Sequence, residues 1–200
     1  MKTQKRIILA SQSPRRHELI KNLNIDFDVV LPTFEEKLES DCYSDEIILS
    51  LSLSKALSVL NPNNGTDTFF SNNSLVISAD TVVVFNNIIF GKPKDKNQAK
   101  EMLRQLSGNT HFVVTAVSVV DSNTKKSISK LTKTYVTFQQ LSDELIDKYI
   151  EEKKPLDKAG AYGIQEMGEE FIKNVDGELD NVIGLPTKTL KEILEEFGYC

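Results

Sequence analysis

The chain is poor in cysteine, with Cys42 and Cys200 the only two among 200 residues. Two thiols so far apart make neither a disulfide framework nor a zinc-binding spacing, which points to a reducing compartment. Long hydrophobic runs are also missing. The basic residues 1–6 precede an apolar run of only residues 7–10, whereas a secretory signal needs roughly 7–15 apolar residues and a membrane span about 20. The expected location is the cytoplasm, with both thiols reduced. An excess of positive charge is absent too: 24 Lys and Arg against 29 Asp and Glu leave a net charge of −5. A chain with that balance has no overall electrostatic reason to coat nucleic acid or an anionic membrane. The two histidines, His17 and His111, share no motif with a serine or cysteine nucleophile, so they read as structural residues and not as parts of a triad. There is no Walker-A sequence, no glycine-rich dinucleotide fingerprint and no repeat at solenoid periods.

What is present suits a single domain over residues 1–200. With 40% hydrophobic, 26% charged and 8% aromatic residues, the chain can bury a core without staples, and disordered, collagenous and coiled-coil classes fall away. Strand and helix patterns alternate, which predicts a mixed α/β layer fold. Residues 7–10 read as a buried strand running into Ser11-Gln12-Ser13-Pro14, where Ser13 can cap a helix whose first residue is Pro14. Ile25, Phe27 and Val29 alternate as a second strand. Ser44 opens a helix whose apolar stripe is read as Leu49, Leu53, Ala56, Leu57 and Leu60, with Lys55 off that stripe and solvated. Residues 61–74 are polar and turn-rich and read as a surface insertion. Residues 75–79 and 82–85 are strand runs on either side of Asp80-Thr81, and Asn86-Asn87 turns the chain into residues 88–90. Asp95 and Gln98 form a capping box before a helix carrying Ala99, Met102, Leu103 and Leu106. Residues 111–120 and 127–138 predict an antiparallel hairpin; Ser142 caps one later helix and Pro186 starts the last.

Several of these segments hold residues suited to an anionic ligand. Ser11 to Arg16 joins a strand end, two hydroxyls, a helix N-terminus and two arginines, a combination that attracts phosphate; a capped surface helix with solvated arginines is the plainer reading. Asp80 interrupts an apolar run and must be neutralised, paired or bound to a metal. Glu35 and Glu36 follow the second strand, where one could share a divalent cation with Asp80, though a solvated loop pair is commoner. Lys92, in Gly91-Lys92-Pro93, lies on a stiff turn after the Asp80 strands. The stretch from Asp157 to Gln165 is rich in small residues, and Gln165 offers a donor and an acceptor to a base edge.

The order of the segments adds to this. Leu9-Ala10-Ser11-Gln12-Ser13-Pro14-Arg15-Arg16, Lys55-Ala56 and Ser78-Ala79-Asp80-Thr81-Val82-Val83 resemble the Maf family of nucleoside triphosphate pyrophosphatases. So do Gly91-Lys92-Pro93, Leu106-Ser107-Gly108 through His111 to Thr115-Ala116-Val117, Pro155-Leu156-Asp157-Lys158-Ala159-Gly160-Ala161-Tyr162-Gly163-Ile164-Gln165, and Asn181-Val182-Ile183-Gly184-Leu185-Pro186. The resemblance implies a two-lobed α/β fold of the Maf/inosine-triphosphatase kind, a mixed sheet with flanking helices and a cleft between the lobes, often as a homodimer. It implies hydrolysis of a nucleoside triphosphate to the monophosphate and pyrophosphate, with dTTP and UTP as the substrates and modified pyrimidine nucleotides as a further group. By the same resemblance Asp80 is the proton acceptor that activates water. Glu36 and Asp80 bind Mg²⁺ or Mn²⁺. Ser11, Ser13, Arg15, Arg16, Lys55 and Lys92 hold the triphosphate, and Arg15, Thr81 and Gln165 set base preference. Three positions depart from the family pattern: Ser50 stands where an arginine is common, Glu166 where a glycine is usual, and Gly177-Glu178-Leu179 where Gly-Ser-Tyr is usual. A nucleotide-binding regulator of cell division with little turnover is the alternative; the carboxylates at Asp80 and Glu36 argue against it, because a pure binder gains nothing from groups that repel phosphate.

Overall fold

The computed structural model describes residues 5–33, 41–60 and 73–199. Seven strands form one mixed sheet: β1 (Arg6–Leu9), β2 (Phe27–Val29), β3 (Ser74–Phe85), β4 (Ile88–Phe90), β5 (Thr110–Asp121), β6 (Ser127–Phe138) and β7 (Ile172–Asp176). Their order is β2-β1-β3-β5-β6-β7, with β4 also paired to β3. The β1 strand runs parallel to both β2 and β3, and the remaining pairings are antiparallel. Among the described residues six α-helices flank the sheet: α1 (Pro14–Lys21), α2 (Asp45–Val59), α3 (Lys96–Leu106), α4 (Asp143–Lys153), α5 (Leu179–Ile183) and α6 (Thr187–Glu196). The α/β reading and the β5–β6 hairpin are both observed.

Local chemistry accounts for most element ends. The Ser44 and Ser142 side chains accept from the Ile47 and Leu145 amides at 3.3 and 3.2 Å, and Asp95 accepts from Gln98 N at 2.8 Å, each satisfying an N–H that the helix leaves open. Gln98 completes its end by accepting from Lys94 N at 2.7 Å, one residue short of the box pattern. Asn86 and Asn87 both adopt positive φ, which lets a two-residue turn join β3 to β4.

Several expectations need correcting. Residues 75–79 and 82–85 are one continuous strand, because Asp80 and Thr81 stay extended and find partners for their side chains. That strand begins at Ser74, which removes the last residue from the polar insertion; residues 61–72 lie outside the described residues. Ser13 occupies the α1 N-cap without a side-chain cap bond, and its amide instead donates to Ser11 Oγ at 3.1 Å. In α2 the buried positions are Ile48, Leu51, Ser52, Lys55, Ala56 and Val59, whereas Leu57 is exposed. Lys55 is therefore on the covered face and not solvated.

Alternation along β3 and β5 sorts the core. On one face Ile7, Leu9, Leu75, Ile77, Val117 and Val119 pack with α1 and α6, and further along Val83, Val113, Val136 and Phe138 pack with α3 and α4. On the other face Ile8, Val76 and Val120 meet the C-terminal half of α2, while Val82, Val84 and Val114 meet its N-terminal half. Between the two apolar groups on each face the central row is polar: Ser78 and Asp80 on one side, Thr81 and Thr115 on the other. This polar belt divides the core of one sheet into two halves.

Candidate active site

The β3 strand changes partner at the belt. Its first part pairs with β1 as far as Leu9 opposite Ile77, and its last part pairs with β4 from Val83 onward. On that side no strand of the described residues pairs with residues 78–82. An open sheet that diverges in this way leaves a crevice at the carboxyl end of a parallel strand, the usual place for a ligand in such sheets. Asp80 stands in the middle of the gap, and the segment from Ser11 to Arg16 begins at the end of β1 beside it.

Asp80 is 4% exposed, yet it lies among apolar neighbours. Its partner is Lys55 from α2, itself 6% exposed, whose Nζ donates to Asp80 Oδ1. One turn of α2 earlier, the Ser52 carbonyl accepts from Ser78 Oγ at 2.6 Å. Serine 52 and Lys55 thus occupy core-facing positions because they match Ser78 and Asp80 across the helix–sheet contact. A buried ion pair gives little net stability, but removing either member leaves an uncompensated charge.

The opposite face carries a second polar set, since successive strand residues point to opposite sides. Thr81 Oγ1 meets Thr115 Oγ1 at 2.9 Å and accepts from Arg16 Nη2 at 3.0 Å. Arg16 Nε donates to the Gly184 carbonyl at 2.8 Å, tying α1 to the end of α5. Thr115 Oγ1 donates to the Asn181 carbonyl at 3.0 Å, and the Asn181 amide donates to Val113 O and Thr134 Oγ1, each at 3.0 Å. Arg16 and Thr81 therefore contact each other on the face away from the Asp80 side chain.

A third group joins the segment after β1 to residues 157–166. Ser11 is buried, and its carbonyl lies 3.0 Å from His17 Nε2, so that histidine holds the loop. Arg15 Nη1 bonds Asp157 Oδ2 at 3.2 Å, and Asp157 Oδ1 accepts from Lys158 Nζ at 2.9 Å. Burial works to raise the Asp157 carboxyl, but Lys158 and Arg15 together hold it below the usual carboxylate range. Lys158 is 7% exposed and reaches Glu166 Oε1 at 3.3 Å. Gln165 is exposed in the short 3₁₀ turn Ile164–Glu166. Lys92 is exposed just after Gly91, whose carbonyl accepts from Gly160 N at 3.0 Å. Gly160 itself has φ +65°, and a Cβ there would stand 2.8 Å from Val83 Cγ2, so only glycine lets this segment lie against β3.

Nothing in the composition singles out Lys158 or His17, and Glu166 stands out only as a departure from the family pattern; tertiary contacts give all three their places. His111 is buried, with Nε2 2.7 Å from Tyr162 Oη and edge-on contacts to Phe138 and Tyr162. Burial pushes its pKa down to about 4, so it is a neutral core residue at pH 7, as the absence of a triad motif suggested. Glu35 and Glu36 lie outside the described residues. Among the described residues no group of three or more His, Cys, Asp or Glu side chains is placed to hold a metal. One carboxylate such as Asp80 still suits Mg²⁺, which commonly binds through one or two carboxylates with water and substrate phosphates completing its shell.

No helix among the described residues is long and apolar enough to cross a membrane. The sequence profile of a family described as Maf-like protein matches residues 6–197. The dTTP/UTP pyrophosphatase of Alkaliphilus oremlandii is 44% identical over 190 residues, 95% of each chain. Proteins of the same name from Acetivibrio thermocellus and Bacillus cereus are 40% identical over 197 residues and 41% identical over 193, again covering 96% of each chain.

Proposed function

Because this chain belongs to the Maf family, we propose that it hydrolyses dTTP and UTP to the nucleoside monophosphate and pyrophosphate. The observation that carries this reading is the buried Asp80–Lys55 pair in the gap of the sheet. Asp80 accepts a proton from a water whose oxygen attacks the α-phosphorus. The new bond to water forms as the bond from the α-phosphorus to the bridging oxygen breaks, and that electron pair leaves with pyrophosphate. Such a reaction needs positioning and charge neutralisation more than covalent chemistry. Lys55 pairs with Asp80 inside the core and is the cation beside it for the triphosphate. Ser11, Ser13, Arg15, Arg16 and Lys92 bind the remaining phosphate oxygens, while Arg15, Thr81 and Gln165 read the base. Asp80 and Glu36 would hold Mg²⁺ or Mn²⁺, which would supply charge neutralisation for the phosphates and lower the pKa of water. The enzyme acts in the cytoplasm on a free nucleotide, with neither nucleic acid nor membrane as partner.

A regulator that binds nucleotide without turnover is not favoured, since a carboxylate at the centre of the site gives a pure binder of phosphate nothing. The test is pyrophosphate release by the wild-type protein with Mg²⁺ or Mn²⁺ across dTTP, UTP, CTP and the purine triphosphates. Release of pyrophosphate and monophosphate mainly from dTTP and UTP is expected. Binding of those nucleotides without any release would overturn the proposal in favour of the regulator.

A further inference from the structure

The network joining α1 to residues 157–166 alternates in charge: Arg15, Asp157, Lys158, Glu166. Its last member does more than finish the series. Glu166 Oε1 faces Lys158 Nζ at 3.3 Å, and Glu166 Oε2 accepts from Tyr149 Oη at 3.2 Å. Tyr149 Oη in turn accepts from the Gly163 amide at 3.0 Å. The Glu166 amide donates back to the Gly163 carbonyl at 2.9 Å. The turn that carries Gln165 is thus held at both ends by one carboxylate and one phenol.

The anchor is rigid. Tyr149 belongs to α4, is 4% exposed, and packs on Phe171 with ring centroids 5.2 Å apart. Burial raises the Tyr149 hydroxyl pKa above its ordinary value, with the Glu166 carboxylate adding to the shift, so the phenol stays a donor at neutral pH. The Lys158 and Glu166 side chains also lie close against the start of the turn. A Cβ on Gly163 would stand 2.9 Å from Lys158 Cε and 3.3 Å from Glu166 Oε2. A side chain on an exposed turn is normally free to move, whereas this turn is pinned to a core helix.

We propose that Glu166 is a positioning residue for substrate selection: through Lys158 and Tyr149 it fixes the turn at 164–166 and thereby the placement of Gln165 against the base. This rests on the functional reading above, in which Gln165 reads the base of a pyrimidine nucleotide. Glu166 neither touches the reacting phosphate nor supplies a proton; it acts through the two side chains it grips. Loss of the carboxylate frees the turn and leaves Lys158 balanced by Asp157 alone, a carboxylate already shared with Arg15.

The experiment is steady-state hydrolysis of dTTP, UTP and CTP by wild type, E166A, E166Q, Y149F and E166A/Y149F. E166A is expected to raise KM for dTTP and UTP by about tenfold, the size of effect that loss of a hydrogen bond to a charged group produces. Its kcat should stay within about twofold, the footprint of lost binding and not of lost chemistry, and its preference over CTP should narrow. E166Q keeps an acceptor for Tyr149 and should fall between E166A and wild type. The double variant should lose less than the sum of the two single effects, because both cut the Glu166–Tyr149 link. Wild-type KM and base preference in both Glu166 variants would overturn the inference. So would an equal fall in kcat for every nucleotide with base preference unchanged, which marks a role in stability only. Wild-type protein that hydrolyses none of the three nucleotides would overturn the functional reading, and this inference with it.

Discussion

Helices α2 and α3 both pack on the sheet, but they bury different chemistry. The covered positions of α3 are Ala99, Leu103 and Leu106, all apolar. Its charges face outward and meet α4 in a row: Arg104 with Asp143 at 2.6 Å, Lys100 with Asp147 at 2.6 Å and Lys96 with Glu151 at 2.6 Å. The α2 helix instead places Ser52 and Lys55 within its covered stripe. Packing alone gives no reason for a lysine there, since burying an ammonium is costly unless it is matched. Lys55 is matched by Asp80, and the pair sits where the sheet opens. Ion pairs therefore mean different things on the two helices: those on α3 are solvated and weakly coupled to stability, while the one on α2 is buried at the proposed site.

The most severe way to break the contrast is to remove one member of the buried pair. K55M leaves Asp80 buried without its cation and should cost about 3–5 kcal/mol in urea unfolding, with loss of pyrophosphate release. K55M/D80L should recover much of that stability and remain inactive; a K55M midpoint equal to wild type would show that the pair is not buried as described. On α3 the matching change is L103A. It opens a cavity and should cost about 2–5 kcal/mol, while pyrophosphate release per folded molecule stays at the wild-type level.

His111 sharpens the comparison, because here a buried titratable group is accommodated by staying neutral. Its folded pKa is depressed to about 4, below the roughly 6.5 of an unfolded histidine. The unfolded chain then binds the extra proton between these values. Stability from this group is fully present above pH 6.5 and is lost as pH falls toward 4, by up to about 3 kcal/mol. Urea midpoints of H111N should decline less than those of wild type over that window. The smallest effect belongs to R104A: at about 0.5 M salt, where exposed pairs are strongly screened, its denaturation curve should overlay that of wild type.

The same contrast explains what could be read from the sequence. The α3 helix was legible in its capping residue and apolar spacing, because every covered position is apolar. The α2 helix was legible as a helix, but its covered face was misread, since an apolar stripe cannot be drawn through Ser52 and Lys55. Asp80 stood out as a carboxylate inside an apolar strand, and the continuity of β3 through it was hidden for the same reason. The β7 strand, Ile-Lys-Asn-Val-Asp, and the five-residue α5 are too short and too polar for periodicity to reveal. The contacts joining Arg15, Asp157, Lys158 and Glu166 bring residues together across more than half the chain, and no local pattern encodes them. Glu166 stood out only as a departure from a family pattern, and its grip on Tyr149 is visible only in the fold.

D80N tests most directly the proposal that Asp80 performs the proton transfer. Asparagine keeps the shape and an oxygen that can accept from Lys55, but it is no base. Pyrophosphate release from dTTP and UTP should fall by about 10²-fold or more, while equilibrium binding of the same nucleotides persists. Turnover at the wild-type rate in a folded D80N protein would contradict the account.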